Sequence, residues 1–187
     1  MKKILLAVVA TSVFATSFVS SASAAELSFN NLEVGYSQLD FSCSTDCDGL
    51  NLIGSVEINE MFSASIDYTG ISGNGADADL TYLALGIRNE FSDSAAVFGQ
   101  VGVGRVSFDS NFDSDSETKA FVGVGLRGMM TENFEGEALV RKVFVSGADP
   151  SIKLTGTYYF TDTIGASLNV EASNGDSGGG VGLRLNF

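Results

Sequence analysis

Charged side chains of both signs recur at alternate positions along this chain. Glu33, Glu57, Asp67, Glu135, Glu137 and Glu171 supply carboxylates. Arg88, Lys119, Arg127, Arg141, Lys153 and Arg184 supply cations. Each shares its parity with Gly, Ser, Thr or Asn rather than with the Val, Leu and Ile beside it. A charge taken out of bulk water needs a counter-ion or a water molecule. Two chemistries are open to such a set. It forms an internal ion-pair network that fills and stabilises a lumen, or it lines a small pore and tunes its conductance.

Other chemistry finds less support. The chain has no His, the side chain best suited to proton transfer near neutral pH. No Ser/Lys cluster or paired carboxylates with a supporting motif replace it, so the sequence reads as a non-enzyme. Residues 108–118 hold Asp109, Asp113, Asp115 and Glu117. Such oxygens suit Ca²⁺, but the spacing lacks the EF-hand's central Gly and closing Glu, and a solvated acidic loop is the expectation. Cys43 and Cys47 are the only cysteines. In an exported chain they read as a local disulfide pinning a loop; a metal site is the alternative and lacks a His partner. No cofactor or metal is expected. Arg105 and Lys142 fall on the apolar parity. Near a strand end a long cation can snorkel to an interface, which makes both candidates for contact with lipopolysaccharide phosphates. A bulge turning one of them inward is the other reading.

The elements that must position these residues are strands. Val181, Leu183, Leu185 and Phe187 share one face of the stretch 178–187, and Gly180, Gly182, Arg184 and Asn186 share the other. Period two with unlike faces marks a strand between unlike surroundings. Similar stretches cover 28–41, 49–58, 62–69, 79–91, 95–107, 119–129, 134–145, 151–160 and 164–172. That makes ten strands, with eight as the alternative. Short turns (59–61, 92–94, 131–133, 161–163) alternate with longer loops (42–48, 70–78, 108–118, 146–150, 173–177). An even count puts both ends of the chain on one side. The last strand must pair with the first, because an open edge cannot persist in hydrocarbon. Small barrels are filled by their own side chains, and wide channels need about sixteen strands. Glycines on the polar parity, such as Gly86, Gly102, Gly104, Gly123, Gly125 and Gly182, are expected to leave room for arginines to cross the lumen.

Composition sets the compartment. Lys2 and Lys3 precede an uncharged, mostly apolar run and the small residues Ala22-Ser23-Ala24. Residues 1–24 read as a secretory signal peptide, leaving 25–187 as one domain. The net charge of −13 argues against nucleic acid, which needs a basic footprint. No apolar run of about 20 residues follows the leader, so no membrane helix is expected. Gly is abundant (22) and Pro nearly absent (1), as suits a chain built of strands.

Leader, alternating strands, turn rhythm and the terminal V-G-L-R-L-N-F together resemble the small bacterial outer-membrane β-barrel superfamily, OmpA-like or porin-like. The resemblance implies an all-β, antiparallel up-and-down transmembrane barrel in the outer membrane of a Gram-negative envelope. It also implies that the barrel-assembly machinery reads the closing strand through Val181, Leu183, Leu185 and Phe187. Outer-membrane lipid and lipopolysaccharide are the expected surroundings, with a monomer favoured. The expected role is structural or surface interaction around a plugged or very narrow lumen. A narrow porin for small solutes is the alternative. A soluble periplasmic sandwich or lipocalin-like binder conflicts with the outward apolar stripes. The chain departs from the pattern in having no Trp, so Tyr36, Tyr68, Phe62, Phe91, Phe134, Phe160 and Phe187 must form the aromatic girdles.

Overall fold

The computed structural model describes residues 27–40, 47–73, 76–110, 114–174 and 177–187. Residues 1–24, expected to be a leader, together with Cys43 and Asp113 lie outside the described residues, and so does any Cys43–Cys47 bridge. Among the described residues there is no helix, and ten strands form one closed barrel. They are β1 (Asn31–Asp40), β2 (Cys47–Glu57), β3 (Phe62–Gly73), β4 (Ala76–Ser92), β5 (Ala95–Ser110), β6 (Ser114–Thr131), β7 (Phe134–Val143), β8 (Ser151–Tyr159), β9 (Ile164–Ala172) and β10 (Ser177–Asn186). Every neighbour is antiparallel. The ring closes where β10 meets β1, from Asn31 opposite Asn186 to Asp40 opposite Ser177.

Closure divides each strand by parity. Val34, Leu85, Val124 and Leu183 point outward and stay exposed, whereas Glu33, Arg127, Glu135 and Arg184 point inward and are buried. This polarity is the reverse of a soluble protein's. A continuous exposed apolar wall is unstable in water and stable in hydrocarbon. At the short-turn end the wall finishes in outward aromatics: Phe62, Phe91, Phe160 and Phe187 are exposed. The turns there are tied locally. The Asn59 side-chain oxygen accepts from the amides of Met61 and Phe62, both at 2.9 Å, and Thr161 accepts from Ile164 at 3.0 Å.

On one side the wall rises well past the membrane. β4, β5 and β6 run to 17, 16 and 18 residues, against about 9–11 for a spanning strand. In this extension the polarity inverts. Outward, the row Ile66, Leu83, Val103, Ala120 gives way to Tyr68, Thr81, Arg105, Thr118, and then to Gly70, Asp79, Ser107, Ser116. Inward, the row Asp67, Tyr82, Gly104, Lys119 gives way to Thr69, Leu80, Val106, Glu117, and then to Ile71, Ala78, Phe108, Asp115. Above this line the outward face is polar, and the inward face turns apolar at Leu80, Val106, Ile71 and Ala78 on β3, β4 and β5 while β6 keeps Glu117 and Asp115 there.

The inversion corrects the expected loops at 70–78 and 108–118. Most of both segments is strand: β3 runs to Gly73, β4 starts at Ala76, β5 runs to Ser110 and β6 starts at Ser114. Alternation continues through them with its sign reversed, so an apolar-outward template stops matching. The same geometry separates the acids of 108–118. Asp109 faces out, while Asp115 and Glu117 face in. The ladder carries no bulge at Arg105 or Lys142, so both remain on the outward face. Arg105 has no ion pair among the described residues. Lys142 donates to the carbonyl of Ala148 and braces the loop after β7.

Candidate functional site

The site is the lumen, built as two charged layers. The lower one lies toward the short turns. Glu135 on β7 is 2% exposed and is shared by three donors. Arg127 on β6 reaches it through Nε at 2.8 Å and Nη2 at 3.1 Å. Arg184 on β10 reaches it through Nη1 at 2.8 Å. The Tyr159 hydroxyl donates to it at 3.2 Å. Arg184 also holds Glu33, its direct cross-strand neighbour on β1, through Nε at 2.9 Å. Glu137 stands 3.8 Å from Arg127. Guanidinium groups suit this sharing, because each is a planar fork of donors for carboxylate oxygens.

Phe29 seals this layer from below. Residues 28–30 were expected to open the first strand; instead they precede β1 and turn into the mouth. The Phe29 ring is 6% exposed. It lies 4.6 Å from the Arg88 guanidinium carbon, 4.9 Å from that of Arg127 and 6.2 Å from the Phe98 ring. Its amide donates to Glu57 Oε1 at 3.1 Å, and the Asn30 side-chain oxygen accepts from the Glu57 amide at 2.7 Å. Arg88 pairs with the same Glu57 oxygen at 2.8 Å and with Glu90 at 3.2 Å. Two cations over one desolvated ring attract it electrostatically.

The upper layer is smaller. Asp67 on β3 accepts from Lys153 at 3.0 Å and Arg141 at 3.4 Å. Arg141 stacks 4.0 Å from the Tyr82 ring, which meets Phe121 edge-on at 5.3 Å. Glu171 lies opposite Lys153 across the β8–β9 ladder. Lys119 pairs with Glu117 at the rim, at 2.7 Å. A space of about 210 Å³ opens above this layer and one of about 100 Å³ lies below it. Asp67, Arg141 and Lys153 line both, so they form the partition between them. Buried Asn51 Oδ1, Asn169 Nδ2 and Gln100 Nε2 have no protein partner among the described residues.

Inward glycines are filled differently from the expectation. A Cβ on Gly104 would lie 2.6 Å from the Tyr82 ring, one on Gly125 2.4 Å from the Phe98 ring, and one on Gly123 2.8 Å from Gln100. These glycines seat flat neighbours on the adjoining strand rather than crossing arginines. Sequence reasoning missed the inward aromatics Phe29, Phe98, Phe121 and Tyr159. Their signal was present, because Phe98, Phe121 and Tyr159 sit on the polar parity of their strands and Phe29 on that of the stretch expected to open the first one. Val181, Leu183, Leu185 and Phe187 stand exposed on the outward face of the closing segment.

The comparisons with known proteins point one way. A family model described as outer membrane protein beta-barrel domain matches residues 5–171. No curated protein matches the sequence. Among solved structures, the KdgM porin in complex with disordered oligogalacturonate aligns with a TM-score of 0.50 at 8% identity, covering 84% of this chain and 99% of that one. The N-terminal β-barrel domain of Pseudomonas aeruginosa OprF aligns at 0.42 and 16% identity, covering 84% and 98%. The outer membrane phospholipase A from Escherichia coli aligns at 0.43 and 13% identity, covering 86% and 91%. At these identities the likeness is one of fold.

Proposed function

Because the chain belongs to the outer membrane protein beta-barrel domain family, we propose that it is a closed-lumen barrel of the outer membrane with a structural or surface-interaction role. One observation carries this reading. The Glu135 carboxylate is gripped by Arg127, Arg184 and Tyr159, with Phe29 wedged beneath. An ion crossing this layer must break charge-assisted hydrogen bonds among buried groups. What the barrel offers a partner is its external extension of β3–β6. Catalysis is not part of this reading, since the chain lacks His.

A second reading, a narrow pore for small solutes, draws on the two spaces above and below Asp67 and on their unpartnered amides. Single-channel recording of the barrel in a planar bilayer separates the two. A folded barrel without current supports the closed lumen. Discrete, reproducible openings of the unaltered protein overturn it in favour of the pore.

A further inference from the structure

The outward face of β3–β6 carries a feature that a plain lipid-facing wall does not need. Small side chains at Ala64 and Ala120, set among Leu83, Val101, Val103 and Phe144, leave a shallow apolar groove open to the membrane. The row above it places Arg105 between Thr81 and Thr118, its direct neighbours on either side. Arg105 has no ion pair among the described residues. It stands on the outward face, one row beyond the apolar Val103 and Ala120.

We propose that this face seats one lipopolysaccharide molecule, with a phosphate on Arg105 and acyl chains in the groove below. A guanidinium fork matches phosphate oxygens, and the two threonine hydroxyls beside it are further donors. The groove spans four strands and the Phe144 edge. At 4.7–4.9 Å between strands it is roughly 15–20 Å across, room for several acyl chains abreast. That breadth, on the long-loop side of the barrel, favours lipopolysaccharide over a two-chain phospholipid. Nearby carboxylates bear on the same phosphate. Asp79 is one row up and accepts from the Tyr68 hydroxyl at 2.6 Å. Asp77 and Asp109 are a further row away. Lys142 is not a neighbour of Arg105: it lies two rows away, on the row of Val101 and Val122, and gives a donor to the Ala148 carbonyl.

The test is native mass spectrometry of the barrel titrated with lipid A, dephosphorylated lipid A and phosphatidylglycerol. The unaltered protein is expected to retain one lipid A. Dephosphorylated lipid A is expected to bind about tenfold more weakly, the ordinary worth of one charge-assisted hydrogen bond, and phosphatidylglycerol, which keeps a phosphate but fills less of the groove with its two chains, is expected to bind more weakly than lipid A as well. Arg105→Ala loses the same factor for lipid A, Arg105→Lys loses less, and Ala120→Trp weakens lipid A binding by filling the groove. Lys142→Ala binds as the unaltered protein does. Equal retention of phosphorylated and dephosphorylated lipid A overturns the proposal, and this comparison needs no variant to fold. Equal retention of phosphatidylglycerol overturns the lipopolysaccharide assignment, and unchanged binding by Arg105→Ala overturns the phosphate seat.

Discussion

Glu135 is a single carboxylate that answers two arginines and a tyrosine. Replacing it with Ala leaves Arg127 and Arg184 buried beside only Glu137 and Glu33, the loss that makes broken internal pairs expensive. Glu135→Ala should lower unfolding free energy by about 3–5 kcal/mol, read from urea titration in lipid vesicles. Glu135→Gln keeps the shape and one acceptor and should cost less. Parity alone tells that Glu135 and Arg184 lie off the apolar stripe. It does not tell that they meet, because residues 49 positions apart are brought together only by the ring's curvature. Phe29 is the opposite case. Its parity was legible, but apolar residues at a strand's start look like wall, and nothing local says that the backbone turns into the bore.

At the scale of the strand, the hydrocarbon boundary is written in sequence as a change of sign. β5 passes Val101 and Val103 outward, then Arg105, Ser107 and Asp109 on the same face. All ten strands were legible from their alternation, and the turn positions with them. The ends of β3–β6 were not, because one alternation template covers only one solvent. A charge tests the line directly. Val101→Arg should destabilise the folded barrel by about 2–4 kcal/mol, and Ser107→Arg by about 0–1 kcal/mol, both measured by reversible unfolding in the same vesicles. Equal costs would mean that the boundary lies elsewhere.

For the whole molecule, the two charged layers predict a graded response in bilayer recordings. The unaltered barrel should be silent. Asp67→Ala should also be silent, because the lower layer still stands. Removing both Glu135 and Phe29 as alanines should give discrete openings, since the cork and its anchor are then gone; silence there would move the seal to another level of the bore. The seam adds a consequence for how such an object comes into being. Arg184 sits on β10, the strand that completes the ring, and grips Glu33 on β1 at the same time as Glu135 on β7. Closing the ring between β10 and β1 and adding the last donor to the Glu135 carboxylate are thus coupled through one side chain.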